Sequence, residues 1–224
     1  MGILDADVTG PSIPKMFGLS GRLHGEAGKM VPAETALGIK VVSTNLLVER
    51  EDTPVVWRGP LVAQAIRQFY LDVLWGELDY LLVDVPPGTS DAPLTILKFL
   101  PVDGVVLISS PQEITGVIVR KAVALLERVG VPIIGVVENM SYFLCPDNGR
   151  HYEVFGPSTG EELALAVETS FLGSLPIDPE LARLCDEGKI ETYSSEAYAQ
   201  LAETFLDEMA GRENLARERL AGEE

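Results

Sequence analysis

Short apolar runs that are continuous rather than alternating constrain the fold of this chain more than any other feature. A strand with one face in water alternates apolar and polar residues, whereas a strand buried on both faces is apolar throughout. The runs are rich in Val, Ile and Leu and lie at residues 3–4, 39–42, 80–83, 105–108, 133–137 and 171–175. They predict a mainly parallel sheet whose two faces are covered by helices.

Helical patterns lie between these runs, at residues 60–75, 93–100, 114–129 and 158–168, and from residue 194 into the C-terminal region. The alternation predicts a doubly wound α/β fold, and the 224 residues suit one domain. Residues 207–224 are predicted to be a solvated helix end that frays. Because ligands of such folds bind beyond the carboxyl ends of the strands, polar residues that follow each run are the candidate site residues.

The charge balance limits the classes of partner. The chain has 34 acidic and 17 basic residues, a net charge of −17, which argues against nucleic acid because phosphate backbones are bound by Lys and Arg. No apolar segment approaches the ~20 residues of a membrane span, and we expect neither a membrane partner nor a signal peptide. Two cysteines, Cys145 and Cys185, make no disulfide framework and suit a reducing cytoplasm. Cys185 lies in an amphipathic pattern typical of core.

The sequence Asp-Val-Pro-Pro-Gly-Thr-Ser-Asp, from Asp84 to Asp91, follows the run at 80–83. A carboxylate at a strand end can hold hydrated magnesium, and Gly88 allows a backbone N–H to approach a phosphate closely. The alternative is a rigid turn with a helix N-cap at Asp91. The complete eight-residue string favours the phosphate site.

Asp5 and Asp7 end the first run two residues apart, so they point to the same side while the chain remains extended. Two carboxylates there could serve a metal ion and position an attacking water. Solvated loop acids are the alternative, although the Val-Thr-Gly-Pro-Ser-Ile-Pro continuation at 8–14 favours a site.

Asn139 is predicted to end the strand that begins at residue 133. Its amide offers a donor and an acceptor, which match the edge of adenine, although an isolated Asn is more often a turn residue. The segment Leu-Pro-Ile-Asp at 175–178, which includes Pro176, could place backbone groups against the same base.

Cys145 begins a turn-prone Cys-Pro-Asp-Asn-Gly segment near His151. A thiolate binds iron or zinc, but closed metal sites usually take four ligands, so an incidental free cysteine stays the simpler interpretation of Cys145 alone. A phosphate loop ending in Gly-Lys-Ser/Thr is absent from the 224 residues, since both Gly-Lys pairs are followed by Met or Ile.

Several motifs occur together and in order: Leu-Asp-Ala-Asp at 4–7, Gly-Pro-Ser-Ile-Pro at 10–14, Trp-Arg-Gly-Pro at 57–60, the string from Asp84 to Asp91, Ser-Pro-Gln at 110–112, Glu-Asn-Met-Ser-Tyr-Phe at 138–143, Cys-Pro at 145–146 and Phe-Gly at 155–156. This set closely resembles the Mrp/ApbC family over about residues 2–190. These proteins are cytosolic iron–sulfur cluster carrier ATPases related to MinD and ParA. The resemblance implies a P-loop NTPase fold, ATP hydrolysis and delivery of clusters to apo-proteins.

The resemblance also implies a role for each motif residue. Asp7 would orient the attacking water and Asp5 would assist Mg²⁺. Asp84 would be the Walker B acid that holds Mg²⁺ through water. Gly88 would approach the γ-phosphate, and Asn139 would read adenine.

Family members act as homodimers, in which each subunit contributes a phosphate-loop lysine to its partner's nucleotide. A Cys-x-x-Cys pair from each subunit bridges an iron–sulfur cluster, which we expect to be [4Fe–4S]. Apo iron–sulfur proteins are the implied cluster acceptors. Neither nucleic acid nor membrane is an expected partner.

This chain departs from the family pattern in two ways. The family's first strand, phosphate loop and first helix lie upstream of Met1, so we expect a fragment or a misplaced start that leaves two unpaired strand edges. Asp147 occupies the second cysteine position of Cys-x-x-Cys. Asp147 or His151 could substitute as a ligand, with altered cluster stability and potential.

Two other functions stay open. The missing phosphate loop and the single motif cysteine favour a nucleotide-free scaffold or interaction module on the same fold. A MinD/ParA-like positioning ATPase is the weaker alternative, because no basic amphipathic tail is evident for membrane or DNA contact.

Overall fold

A computed structural model of the chain describes residues 1–8, 10–26, 28–47, 59–87 and 91–222. The strands are Gly2–Asp5 (β1), Gly25–Glu26 (β2), Lys29–Met30 (β3), Ala33–Glu34 (β4), Lys40–Val42 (β5), Leu81–Asp84 (β6), Val105–Ser109 (β7), Ile133–Leu144 (β8), His151–Tyr152 (β9) and Ser170–Ile177 (β10). The α-helices are Ile13–Met16 (α1), Gly59–Leu71 (α2), Asp91–Phe99 (α3), Glu113–Val129 (α4), Gly160–Ala166 (α5), Pro179–Asp186 (α6) and Glu196–Gly222 (α7). Short 3₁₀ turns lie at Thr44–Leu46 and Ile190–Thr192.

The predicted α/β architecture is confirmed. Each of the six apolar runs lies on a strand, and each of the five helical patterns corresponds to a helix whose ends differ by a few residues. Sequence reasoning missed α1, α6 and the short strands. Cys185 lies on α6 but is only half-buried, because Leu184 supplies the buried face.

Helix α2 ends earlier than its apolar pattern predicts. Val73 and Trp75 continue the pattern and are buried, but they lie beyond the helix end at Leu71. The chain there runs beside Met30, which donates its N–H to the Asp72 carbonyl and accepts from the N–H of Leu74. Val73 and Trp75 are therefore apolar because the extended segment that pairs with Met30 is buried, and not because α2 continues through them.

The described chain divides into two compact units. The first comprises Met1–Pro101 and Pro179–Tyr193. Its main sheet has the order β4-β5-β1-β6, in which β1 is parallel to both β5 and β6. All four residues of β1 are buried, as its continuous apolar run predicts.

The second unit comprises Val102–Asp178 and Ser194–Glu224. Its sheet has the parallel order β10-β8-β7, with the short β9 antiparallel to the end of β8. The core of Val137, Leu172 and Leu175 is covered by α7 side chains that include Phe205. Gly135 allows β8 and β10 to approach, since a Cβ there would lie 2.5 Å from Cγ of Leu172.

Strand β8 is longer than predicted because it continues through a bulge. Ser174 of β10 is opposite Glu138, but Pro176 is opposite Tyr142, so the β8 side contains extra residues. Met140 lies in this bulge with a left-handed φ of 56°. Asn139, predicted at the end of the strand, therefore lies inside it.

Each unit has an apolar strand at one edge of its sheet. Among the described residues, β6 pairs only with β1 and β7 only with β8. Leu82 of β6 is 45% exposed and Ile108 of β7 is 58% exposed. The described part of the chain contains no helix that is long and apolar enough to span a membrane.

Candidate functional site

The predicted acids at the ends of β1 and β6 lie side by side in the first unit. Asp5 is opposite Asp84 in the parallel register, which sets their backbones about 4.8 Å apart. The Ala6 N–H donates to the Asp84 carbonyl at 2.9 Å and continues the pairing beyond the strand. Asp5 is fully buried, whereas Asp84 is exposed.

The Asp5 carboxyl is only half satisfied. Its Oδ2 accepts a hydrogen bond of 2.9 Å from the Ser43 hydroxyl. Its Oδ1 is buried and has no hydrogen-bond partner. Since an unpaired buried oxygen is unfavourable, this atom is suited to a cation or an ordered water.

Burial is the main reason that the pKa of Asp5 is raised from 3.8 to about 6. The Ser43 hydrogen bond lowers this pKa, the negative charge of Asp84 raises it, and the backbone N–H groups of Asp7 and Ile13 lower it. The pKa of Asp84 is also raised, first by desolvation and then by the charge of Asp7. The acids therefore repel one another, and a bound cation would relieve this repulsion.

Asp7 lies in the loop after β1, since the strand ends at Asp5. It is half-buried, and its Oδ1 accepts from the Gly10 N–H at 3.0 Å, which orients the carboxylate. Within the described residues, no three His, Cys, Asp or Glu side chains are grouped to hold a metal ion. A cation here would keep water molecules or take phosphate oxygens, as Mg²⁺ commonly does.

Sequence reasoning missed the turn after β5. Ser43 binds Asp5, and the Asn45 side-chain amide donates to the Pro11 carbonyl at 3.1 Å. Asn45 also donates its backbone N–H to the Ser43 hydroxyl at 3.4 Å. The available signal was the Ser-Thr-Asn sequence directly after the run at 39–42, the position where the other candidates were found.

Part of the predicted phosphate segment cannot be placed. Gly88 lies outside the described residues, as does the Trp-Arg pair at 57–58. Asp91 is the first residue of α3. Its position is compatible with both interpretations of the segment.

The second unit brings Asn139 and Pro176 onto neighbouring strands. Asn139 lies in the β8 bulge and Pro176 lies on β10. The Asn139 side chain is half-buried, and its Oδ1 accepts from the Met140 N–H at 2.8 Å. This bond fixes the plane of the amide, whose nitrogen is the group that can donate to a base.

Cys145 lies at the end of the β8–β9 hairpin in the same unit. Its N–H donates to the Arg150 carbonyl at 2.9 Å, and its carbonyl accepts from the Gly149 N–H at 2.9 Å. Cys145 is half-buried, while Asp147 is exposed. The hairpin thus presents one ordered cysteine.

Aromatic and aliphatic side chains lie on the same hairpin and in the turn that follows it. The rings of His151 and Tyr142 are stacked, with centroids 4.4 Å apart. Large apolar side chains of the hairpin and the following turn are exposed, namely Leu144, Tyr152, Val154 and Phe155. An exposed apolar patch of this kind is typical of a surface that contacts another protein.

Comparisons with known protein families agree with the motif order. Residues 1–210 match the ParA family model described as the NUBPL iron-transfer P-loop NTPase. The chain is 43% identical over 204 residues to an iron–sulfur cluster carrier protein of Clostridium perfringens, covering 88% of the chain and 72% of that protein. It is 40% identical over 219 residues to an iron–sulfur cluster carrier protein of Methanocaldococcus jannaschii, covering 95% of the chain and 75% of that protein.

A solved structure shares the fold. A nucleotide-binding protein from Archaeoglobus fulgidus, determined in complex with ADP, matches with a TM-score of 0.76 and 42% sequence identity. The match covers 88% of this chain and 77% of that protein.

Proposed function

The chain belongs to the ParA family of NUBPL-type iron-transfer P-loop NTPases, and from this premise we propose that it is an ATP-dependent iron–sulfur cluster carrier. The observation that carries the proposal is the identity of 43% and 40% to two proteins named as such carriers, over most of this chain. Both described cysteines are free thiols, which suits a reducing cytoplasm. Apo iron–sulfur proteins are the proposed acceptors.

The acids of the first unit fit magnesium. Asp5 has a buried oxygen without a partner, and Asp84 lies opposite it in the sheet. Both would hold Mg²⁺, Asp84 through water, and Mg²⁺ supplies positive charge that stabilises phosphoryl transfer. The carboxylate donors and the mutual repulsion between Asp5 and Asp84 suit a hard divalent cation.

Asp7 is the residue proposed to act on the attacking water. Its carboxylate, oriented by the Gly10 N–H, accepts a hydrogen bond from this water and so directs the lone pair of the water oxygen toward the γ-phosphorus. The bond from phosphorus to the ADP oxygen breaks as the new P–O bond forms, giving ADP and phosphate. Gly88 is the proposed backbone contact to the γ-phosphate.

Asn139 and Pro176 are proposed to bind the base. The Met140 N–H engages Asn139 Oδ1, and the amide nitrogen is therefore the group that we assign to an acceptor on adenine. Pro176, on the adjacent strand, supplies an apolar surface and a carbonyl. An amide donor beside a carbonyl acceptor would match N7 and the N6 amine of adenine, whereas guanine presents two acceptors, N7 and O6, at this edge.

We propose that full-strength nucleotide binding needs a first strand, a phosphate loop and a helix from outside these 224 residues. Together with these residues, the added elements would form one domain. Leu82 is exposed and β6 pairs only with β1 within the described residues, which supports an added strand at this edge. The additional length of the two relatives leaves room for such a segment, since the matches cover 72% and 75% of them.

The cluster is proposed to bind between two copies of the chain, each giving the Cys145 thiolate. No single chain offers three grouped ligands among its described residues, and the hairpin exposes apolar side chains that suit contact with a second copy. Two thiolates alone leave ligand positions open, and Asp147 or His151 would complete them. A homodimer with a [4Fe–4S] or smaller cluster is the resulting assembly.

Anaerobic reconstitution with iron and sulfide tests this proposal. We expect visible cluster absorbance and a shift toward dimer in the 224-residue chain, both lost in Cys145→Ala and retained in Cys185→Ala. Equal loading of the two variants would exclude Cys145 as a ligand. Absence of loading in the unmodified chain would remove the carrier function.

A nucleotide-free scaffold is the second candidate, favoured by the single motif cysteine, since Asp147 occupies the second position of Cys-x-x-Cys. Isothermal titration of the chain with ATP and Mg²⁺ separates the two functions. A heat of ATP binding that is lost in Asp84→Ala supports the ATPase. The absence of any heat of ATP binding, both in this chain and in a chain extended by a phosphate loop, supports the scaffold.

A further inference from the structure

A buried carboxylate at the base of the Cys145 hairpin has no role in the function proposed above. Glu138 is 0% exposed and accepts three hydrogen bonds. Its Oε1 accepts from the Thr159 N–H at 2.8 Å and from the Thr159 hydroxyl at 3.4 Å. Its Oε2 accepts from the Ser141 hydroxyl at 2.5 Å.

The two donor residues lie at opposite ends of one loop. Ser141 precedes residues 142–158, which contain the hairpin and Cys145, and Thr159 follows them. The carboxylate therefore closes this loop at its base. Charge-assisted bonds of this kind are stronger than neutral ones, and the low local dielectric strengthens them further.

Close packing keeps the Glu138 side chain in this position. Gly160, the first residue of α5, follows Thr159 directly. A Cβ at Gly160 would lie 2.4 Å from the Phe171 ring and 3.0 Å from Cβ of Glu138. The start of α5 is thus in contact with Glu138, and the N–H groups of this helix end favour a negative charge beside them.

The same carboxylate stabilises the bulge that contains Asn139. The bulge lies between Glu138 and Ser141, both of which are joined by the hydrogen bond described above. Met140, inside it, adopts a left-handed φ of 56°, which is unfavourable for a residue with a side chain. Such a conformation persists only where surrounding contacts impose it.

We propose that Glu138 is a positioning residue whose carboxylate holds both the Cys145 hairpin and the Asn139 bulge in a single arrangement. The chemical roles of Cys145 and Asn139 rest on the proposed function, while the orientation of the hairpin does not. Because Glu138 is fully buried, we assign it no direct contact with nucleotide or cluster. It acts by fixing the backbone of the Cys145 hairpin and of the Asn139 bulge.

Four variants test this proposal in a Cys185→Ser background, in which Cys145 is the only thiol. Glu138→Ala removes all three bonds, and Ser141→Ala removes one. Glu138→Gln preserves them, because its oxygen accepts from Thr159 while its amide donates to the Ser141 hydroxyl. Ser170→Ala is the matched control, since the Ser170 hydroxyl also donates to a carboxylate, that of Glu208, at 2.8 Å in the same unit.

The first measurement is the rate of Cys145 alkylation by iodoacetamide under native conditions, with thermal unfolding recorded for each variant. We expect Glu138→Ala to react about tenfold faster, because loss of bonds to a charged group increases local opening. Ser141→Ala should react faster by a smaller factor. Glu138→Gln, which keeps the bonds without the charge, should react at a rate closer to the background than to that of Glu138→Ala, and Ser170→Ala should react at nearly the background rate.

Ser141→Ala keeps the carboxylate and two of its bonds, so it tests the proposal even if Glu138→Ala does not fold. A background alkylation rate in Ser141→Ala would overturn the proposal where Glu138→Ala does not fold, and background rates in both variants would overturn it where Glu138→Ala folds. So would a Glu138→Gln rate as high as that of Glu138→Ala, since a positioning role requires rescue by the isosteric amide.

The second measurement is cluster absorbance after anaerobic reconstitution. We expect loading to fall in Glu138→Ala and to recover in Glu138→Gln. If no variant and not even the background chain takes up a cluster, the proposed function fails. The alkylation rates still support or overturn the positioning role of Glu138 in that case.

Discussion

Ser43 donates a hydrogen bond of 2.9 Å to Oδ2 of Asp5, and neither side chain is exposed to solvent. The other oxygen of Asp5 has no partner. The metal-free protein therefore contains a buried carboxyl that is only partly stabilised in its charged form. Both pH and divalent cations should therefore change the free energy of unfolding of the protein.

The free energy of unfolding of the metal-free chain should fall as the pH rises through about 6. The pKa of Asp5 is raised from 3.8 to about 6 in the folded protein, so the folded state binds its proton more tightly than the unfolded state. The resulting stabilisation is complete below pH 3.8 and is lost above about pH 6. Two pKa units correspond to about 3 kcal/mol.

Urea unfolding in EDTA at several pH values checks this dependence. The loss of unfolding free energy as the pH rises should be smaller by about 3 kcal/mol in Asp5→Asn than in the parent chain. The exposed Asp79 provides a control in the same unit, and Asp79→Asn should leave the dependence unchanged. A pH dependence in Asp5→Asn equal to that of the parent chain would contradict the assignment.

Magnesium should stabilise the chain more at pH 7.5 than at pH 5. The carboxyls of Asp5 and Asp84 both have raised pKa values, so protons compete with the cation at the lower pH. At Mg²⁺ concentrations of about 100 times Kd, the gain is about 2.7 kcal/mol. Thermal unfolding with and without Mg²⁺ measures it.

This gain should be absent in Asp5→Asn and reduced in Asp84→Asn, while Asp79→Asn should retain it. A shift in melting temperature that is the same in all four proteins would indicate a nonspecific ionic effect.

Ser43→Ala and Thr44→Val should have opposite effects on stability. Removal of the Ser43 hydroxyl leaves Asp5 without a side-chain donor and should cost about 1–3 kcal/mol at pH 7.5. The Thr44 hydroxyl is buried and has no partner, so its replacement by a methyl group should be neutral or stabilise by about 1 kcal/mol. Urea unfolding of the two variants makes the comparison, and a loss in Thr44→Val as large as that in Ser43→Ala would show that packing rather than hydrogen bonding dominates at this turn.

The parallel sheets could be predicted because burial on both faces leaves a local signal. The run at 133–137 is apolar at every position except Gly135, and it forms the beginning of β8. The bulge that follows has no comparable signal. The Glu138 carboxylate beside it is held by the N–H of Thr159, which lies 21 residues further along the chain.

The acidic site was partly predictable for a similar reason. Asp5 and Asp84 each follow an apolar run, and parallel strands bring their ends to the same edge of the sheet. Ser43 also follows an apolar run, so its place at the site had a signal, but its bond to Asp5 spans 38 positions and depends on which strands are neighbours. The order β5-β1-β6 is not encoded in any single segment.

Glu168→Gly should raise the free energy of unfolding by about 0.5–1 kcal/mol. Glu168 follows the end of α5 with a left-handed φ of 52°, and the N–H groups of Glu168 and Thr169 donate to the Leu165 and Ala164 carbonyls. This pattern is a Schellman motif. Gly at its left-handed position avoids a backbone strain of about 1–2 kcal/mol, but it also increases the entropy of the unfolded chain, which offsets about 0.5–1 kcal/mol of that gain. Gly130, at the same position after α4 with a φ of 77°, supplies the inverse control, since Gly130→Ala should destabilise the protein by a similar amount. Urea unfolding at pH 7.5 measures both changes, and destabilisation by Glu168→Gly would mean that the Glu168 side chain makes a favourable contact that outweighs its backbone strain.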